Sequence, residues 1–282
     1  MRFVSYVRLG RPSFGALVDG GIVDLARLIP GIDTLREAIA EDLLDEAARA
    51  IVGRKAEFAL SDVTLLPVIP EPGKVLCVGV NYVAHREETG RKEVGHPTIF
   101  TRFADSLVAD GAPIIKPAVS DNLDYEGELA LVIGRGGRNI KPEDALDHVA
   151  GYAPFMDGSV RDFQRHTAQF TPGKNFPGTG GFGPALVTPD EIGDLAALPI
   201  ETRLNGETMQ KASLADLIFS IPDVIAYCSQ FTPLAPGDVI ATGTPGGVGE
   251  RRTPSVWLKD GDVVEVMVGA AGTLTNRIVA ER

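Results

Sequence analysis

The chain has 282 residues, 44% of them hydrophobic, and a formal net charge of −11 from 38 acidic and 27 basic side chains. That supply of apolar residues excludes a disordered chain and builds a core without a disulfide scaffold, and the acidic balance disfavours nucleic acid or an anionic membrane as a partner. Cys77 and Cys228 are the only cysteines and show no CxxC spacing, which argues for a reducing compartment and against structural zinc.

Met1 to Tyr6 carries no hydrophobic signal core, and no run approaches the roughly 18 apolar residues of a membrane span. The expectation is a soluble cytoplasmic protein. Phe3 to Val7 and Phe14 to Val23 read as strands around an Arg11-Pro12 turn. A helix follows, started by Asp33-Thr34, with Leu35, Ile39, Leu43 and Leu44 at the spacing of one apolar face. Pro67, Pro70, Pro72 and Gly73 then mark a linker, because prolines this dense continue neither a helix nor a central strand. The chain thus divides into a small N-terminal domain, 1–70, and a larger catalytic domain, 71–282.

From Lys74 onward the sequence is strand-rich. Lys74–Val80, Pro97–Phe100, Leu129–Ile133, His148–Met156, Ile200–Leu204, Val239–Thr242, Val263–Val268 and Thr273–Val279 all read as strands. Helical signals are fewer, at Tyr82–Thr89 and at Ile221–Phe231 with Pro222 in its first turn. Strands and helices do not alternate regularly, which argues against a TIM barrel or a doubly wound sheet. A β-rich α+β fold is the expectation.

Four segments carry candidate chemistry. The first runs from Cys77 to Glu88, where an apolar strand leads into a helix with His85 and Glu88 three residues apart. A carboxylate beside a histidine orients the ring and stabilises imidazolium, the arrangement of a general base. An exposed helix pair has the same spacing. Cys77, in the apolar run, reads as core.

The second segment is Asp124-Tyr125-Glu126-Gly127-Glu128, followed by Leu129 to Ile133. Alternation along a strand puts Glu126 and Glu128 on one face, about 7 Å apart, and Leu129, Leu131 and Ile133 on the other. Paired carboxylates repel unless a cation or proton sits between them. Hard oxygen ligands suit Mg²⁺, Mn²⁺ or Ca²⁺ rather than zinc. An edge strand with a charged solvent face gives the same pattern.

The third segment ends an apolar strand at Asp157 and continues into Ser159–Arg165. If helical, it sets Arg161 and Gln164 on one face beside Asp157, where a guanidinium and an amide grip a substrate carboxylate and a neighbouring oxygen. Taken alone, a capping aspartate followed by surface polar residues fits this segment better. The fourth comprises two Gly-rich loops, Thr171–Gly178 around Lys174 and Ala241–Gly249 around Thr244. The latter can aim backbone N–H groups and the Thr244 hydroxyl at an anion. Gly178–Gly183 matches GxGxxG, but no strand leads into it and prolines flank it, which argues against a dinucleotide site. His96 and His148 read as structural.

In this order, VGVNYVAHREE, DYEGELALVIG, GYAPFMDGSVRDFQ, GKNF, RLNGE, SLADLIFSIP and LAPGDVIATGTPGGVG resemble the fumarylacetoacetate hydrolase family from Lys74 to the C-terminus. The resemblance implies a mixed β-sandwich roll, a homodimer, and a divalent cation (Mg²⁺, Mn²⁺ or Ca²⁺) held by Glu126, Glu128 and Asp157. It also implies that His85 and Glu88 form a dyad on a mobile helix and that Lys174 is an active-site lysine. Arg161, Gln164 and Thr244 match substrate-contacting positions, and Tyr82 is counted with them. The chain departs from the family pattern at Pro177, where many relatives carry aspartate, and at Arg102, where lysine is common. The expected substrate is a small 2-oxo acid. Hydrolytic C–C cleavage of a 2,4-dioxo acid ranks first, because the dyad can activate water. Oxaloacetate decarboxylation and isomerisation or hydration of 2-oxo dienoic acids are the alternatives, with a metal-binding scaffold as the non-enzymatic one.

Overall fold

The computed structural model describes all 282 residues and has the expected β-rich α+β architecture. Its central feature is Gly127–Ile133, a strand whose seven residues are all buried. It pairs antiparallel with Val149–Met156 on one side and with Val239–Ala241 on the other. Beyond Val239–Ala241 lie Val75–Gly79 and then Thr98–Arg102. A second sheet of five strands, including Pro199–Leu204 and Val263–Val268, packs across Gly127–Ile133.

The strand has different neighbours on its two faces. Leu129, Leu131 and Ile133 join the core under the second sheet, with Ile200, Val264, Val266 and Leu274. Ala130 and Val132 face a second core shared with Phe3, Leu35, Ile39, Cys77 and Phe155. Period-two alternation therefore assigns one residue set to each core, and the register cannot slip without exchanging them.

The N-terminal residues continue the main sheet. Arg2–Arg8 pairs with Leu186–Val187, in the register Arg2 to Val187 and Phe3 to Leu186. The expected Arg11-Pro12 turn is instead strand, within Arg11–Val18. The chain reverses at Leu9-Gly10 and again at Asp19-Gly20, each pair with two positive φ angles, as tight hairpins require. Leucine is a poor residue for that conformation, so composition gave no signal there. The expected helix after Thr34 is two helices, Leu35–Ala40 and Leu44–Ala50, broken where Asp42 takes φ 56°. Thr34 and Glu37 form a capping box at the first. Residues 66–74 have no regular structure, as the prolines predict. No helix is long and apolar enough to cross a membrane.

Candidate active site

Glu126 and Glu128 leave the main strand on the face of Ala130 and Val132, and Asp157 follows the end of the adjacent strand Val149–Met156. The backbone ties the two together: Asp157 N–H donates to the Glu126 carbonyl at 2.8 Å. One carboxylate oxygen from each of the three acids lies within 4.8 Å of the others, and all three residues are buried. Gly127 permits this arrangement. A Cβ there would stand 2.0 Å from the Thr202 hydroxyl in the second sheet. Gly127→Ala should therefore destabilise the protein by about 1–3 kcal/mol, the range for overpacking a tight core. A denaturation midpoint equal to wild type would refute it.

Three buried cations surround the acids. Lys174 Nζ lies 2.7 Å from Glu126 Oε2 and 2.5 Å from Asp157 Oδ2. Arg102 Nη1 donates to Asp157 Oδ1 at 2.6 Å. Arg161 Nη1 is 2.6 Å from Glu126 Oε1 and 3.0 Å from Gln164 Oε1, while its Nε donates to Asp124 Oδ2 at 2.8 Å. Burial raises the Glu126 carboxyl, but Arg161 and Lys174 outweigh it and hold the group well below the carboxylate range. Glu128 behaves oppositely. Burial and the neighbouring charges of Asp157 and Glu126 push it well above that range, and no side-chain cation pairs with it.

This imbalance tests whether the residues fit a divalent cation. Converging hard oxygens, one of them forced up by like charges, form a donor set that such a cation satisfies. The Lys174 ammonium already occupies the position of a positive group between Glu126 and Asp157. The set fits.

His85 and Glu88 meet on the short helix Val83–Thr89, with Nδ1 2.6 Å from Glu88 Oε1. His85 Nε2 has no hydrogen-bond partner within the chain and the residue lines the same cleft as Glu126, Glu128 and Lys174. The preceding Asn81 is a clamp. Its amide donates to the carbonyls of Phe219 and Thr242 and accepts from Phe219 N–H at 2.8 Å. Val80 just before it has φ 58°, an unfavourable value for a β-branched residue.

The Ala241–Gly249 loop does present N–H groups to anions, but to the protein's own carboxylates. Gly243 donates to Glu128 Oε2, Gly247 to Glu88 Oε2, and Gly249 to Asp124 Oδ1. Gly247 needs its residue type, since its φ is 104° and a Cβ would meet the Met209 carbonyl at 2.3 Å.

The cleft has a volume of about 170 Å³, and His85, Glu126, Glu128, Arg161, Gln164, Lys174 and Thr244 all line it. Tyr82 does not. Its ring packs in the core beneath the second sheet, so its expected substrate contact is corrected to a packing role. The Thr244 hydroxyl donates to the Gly127 carbonyl and accepts from Gln210, so its proton is committed. Arg161 is likewise engaged by protein carboxylates rather than left open. Ser159–Val160, expected in a helix, pairs with Leu123–Asp124, and only Arg161–Gln164 is helical. Sequence reasoning missed Arg91, Arg165, Glu250 and Arg251 around the cleft and assigned no role to Arg102 or Gln210. None of these lies in a motif of its own.

Comparison with known proteins agrees with this geometry. The family model for the C-terminal domain of fumarylacetoacetate hydrolase matches residues 74–279. An oxaloacetate tautomerase of Xenopus laevis mitochondria is 41% identical over 99% of this chain and 90% of its own length. The oxaloacetate tautomerase YisK of Bacillus subtilis is 43% identical over 78% of this chain and 75% of its own. Maleylpyruvate hydrolase of Sphingobium sp. SYK-6, solved with manganese(II) and pyruvate, superposes over both full chains with a TM-score of 0.84 at 28% identity. The chain belongs to the fumarylacetoacetate hydrolase family.

Proposed function

We propose that this chain is a divalent-metal-dependent enzyme that interconverts the keto and enol forms of oxaloacetate. The observation that carries the reading is the His85–Glu88 dyad, whose His85 lines the same cleft as Glu126 and Glu128, two of three converging carboxylates. The similarity to two oxaloacetate tautomerases supports the choice of substrate.

Glu126, Glu128 and Asp157 would hold Mg²⁺ or Mn²⁺. Bound there, the cation supplies Lewis-acid stabilisation of charge on a 2-oxo oxygen. The protein's own groups do the rest. Glu88 orients His85 and stabilises its protonated ring, while Gly247 N–H fixes Glu88 in turn. His85 Nε2 removes one proton from C3 of oxaloacetate. The electron pair of that C–H bond becomes the C2–C3 double bond, and negative charge develops on the C2 oxygen. The Lys174 ammonium stabilises this charge. The imidazolium then returns the same proton to the C2 oxygen, so the enol forms with no net gain or loss of protons. The Gln164 amide N–H group, not used by Arg161, is available to a substrate oxygen.

The decisive measurement is the rate of enol–keto relaxation of oxaloacetate by ultraviolet absorbance, with Mg²⁺ or Mn²⁺ and with EDTA. His85→Ala should slow it about 10²–10⁴-fold, the usual contribution of a positioned base. A rate indifferent to both EDTA and His85→Ala would refute the proposal.

A second reading is hydrolytic cleavage of a 2,4-dioxo acid. The same dyad can deprotonate water, and the maleylpyruvate hydrolase shares the fold across its full length. Pyruvate release from acylpyruvates, lost in His85→Ala, would establish it.

A further inference from the structure

The cleft mouth is strongly basic in a chain of net charge −11. Arg91, Arg165 and Arg251 all line it, and Glu250 is the only acid beside them there. Glu250 is already engaged, paired with Arg165 and lying 3.8 Å from Arg251. Deeper in, Arg161 is committed to Asp124, Glu126 and Gln164. Arg91 differs from all of these. Its guanidinium makes no ion pair and no hydrogen bond, and lies over the Phe170 ring at 5.0 Å from the centroid. Arg91 is solvent-exposed, and partial desolvation, with Arg165 and Arg251 close by, lowers its pKa, whereas the charge of Glu126 acts in the opposite direction. A bound anion would relieve that crowding of like charges.

We propose that Arg91 is a specificity-determining residue that binds the distal carboxylate of a four-carbon dicarboxylate whose 2-oxo acid end lies at the Glu126–Glu128–Asp157 end of the cleft. The proposal rests on the reading of this cleft as a 2-oxo acid site and adds what selects the chain's far end. A planar guanidinium backed by an aromatic ring is suited to bidentate capture of a carboxylate. Arg91 also follows directly on the helix of His85, whose Gly90 cap has φ 66°, and its N–H donates to the Arg86 carbonyl at 3.1 Å. Holding the distal carboxylate therefore also fixes the end of the helix that carries the base.

The test compares two ligands of equal carbon number that differ only at the far end, L-malate and L-2-hydroxybutyrate. Their affinities are measured by calorimetry on the Mn²⁺-loaded protein. Wild type should prefer malate at least about tenfold, as expected for hydrogen bonds to a charged group. Arg91→Gln should reduce that preference to below about threefold and leave 2-hydroxybutyrate binding unchanged, while Lys92→Gln, the neighbouring cation, should keep the wild-type preference. Equal loss of both ligands in Arg91→Gln, the same loss in Lys92→Gln, or no malate preference in wild type would each overturn the proposal. Malate preference without oxaloacetate tautomerisation would retain Arg91 and remove the reaction. Tautomerisation without malate preference would do the reverse.

Discussion

Arg102→Met should lower the stability of the metal-free protein by up to about 3–5 kcal/mol, the cost of removing one partner of a buried ion pair, with Lys174 left as the remaining cation on Asp157. Both partners, Arg102 and Asp157, have fully buried side chains. All five guanidinium N–H groups are used. Nε donates to Ser106 Oγ, Nη1 to Asp157 and the Gly158 carbonyl, and Nη2 to the Ser106 carbonyl and Thr179. Methionine fills a similar volume but returns Asp157 to the company of Glu126 and Glu128 with one fewer cation. Arg102→Lys should lose less, since it keeps the charge but has only three donors. The measurement is a urea midpoint in EDTA at unchanged m. A Met variant within about 1 kcal/mol of wild type would show that the Asp157 environment does not depend on this pair.

Lys174→Met should have effects of opposite sign on catalysis and on metal binding. In the metal-free protein the ammonium neutralises Glu126 and Asp157 together, and Asp157 and Glu126 raise its own pKa by more than burial lowers it. The lysine is therefore charged, and its charge opposes a divalent cation entering the triad. Removing it should tighten Mn²⁺ binding. If Lys174 stabilises the developing oxygen charge as proposed, the same substitution should cost about 10²–10³-fold in kcat. Calorimetric titration with Mn²⁺ and the oxaloacetate relaxation assay separate the two effects. Weakened metal binding together with lost activity would instead make Lys174 a residue that holds the acids in place.

Part of the carboxylate triad was legible because it obeys simple periodicities. Glu126 and Glu128 follow the strand period of two, whereas Asp157, at the end of an apolar run, joined them only through the family resemblance, since a capping aspartate reads the same way. His85 and Glu88 follow the helical i, i+3 spacing. The strands expected from Lys74 onward lie where the apolar runs put them, to within about two residues at each end, but the largely polar strand Glu207–Ser213 was not expected. Residues that work through long-range pairing were not legible. Arg102 meets Asp157 from 55 positions away in the chain, and Arg91, Arg165 and Arg251 come together only when three separate segments fold. The N-terminal turns were misplaced because Leu9 adopts a conformation that its residue type does not advertise. Tyr82 was misassigned because an aromatic ring beside a dyad reads alike whether it points to the cleft or to the core. The reaction was ambiguous for a chemical reason: one base beside one cation site serves water activation and carbon deprotonation equally well.

Three of the carboxylates around this cleft, Asp124, Glu88 and Glu128, accept hydrogen bonds from main-chain N–H groups of a single loop. A main-chain donor has no side chain to delete, so an alanine scan would pass over these contacts, recording only steric damage at the glycines. Amide-to-ester exchange at Gly243, Gly247 or Gly249, which removes one N–H and leaves the shape nearly intact, is the perturbation that would reveal them. Mutational maps built from side-chain replacement will therefore undercount what this loop contributes.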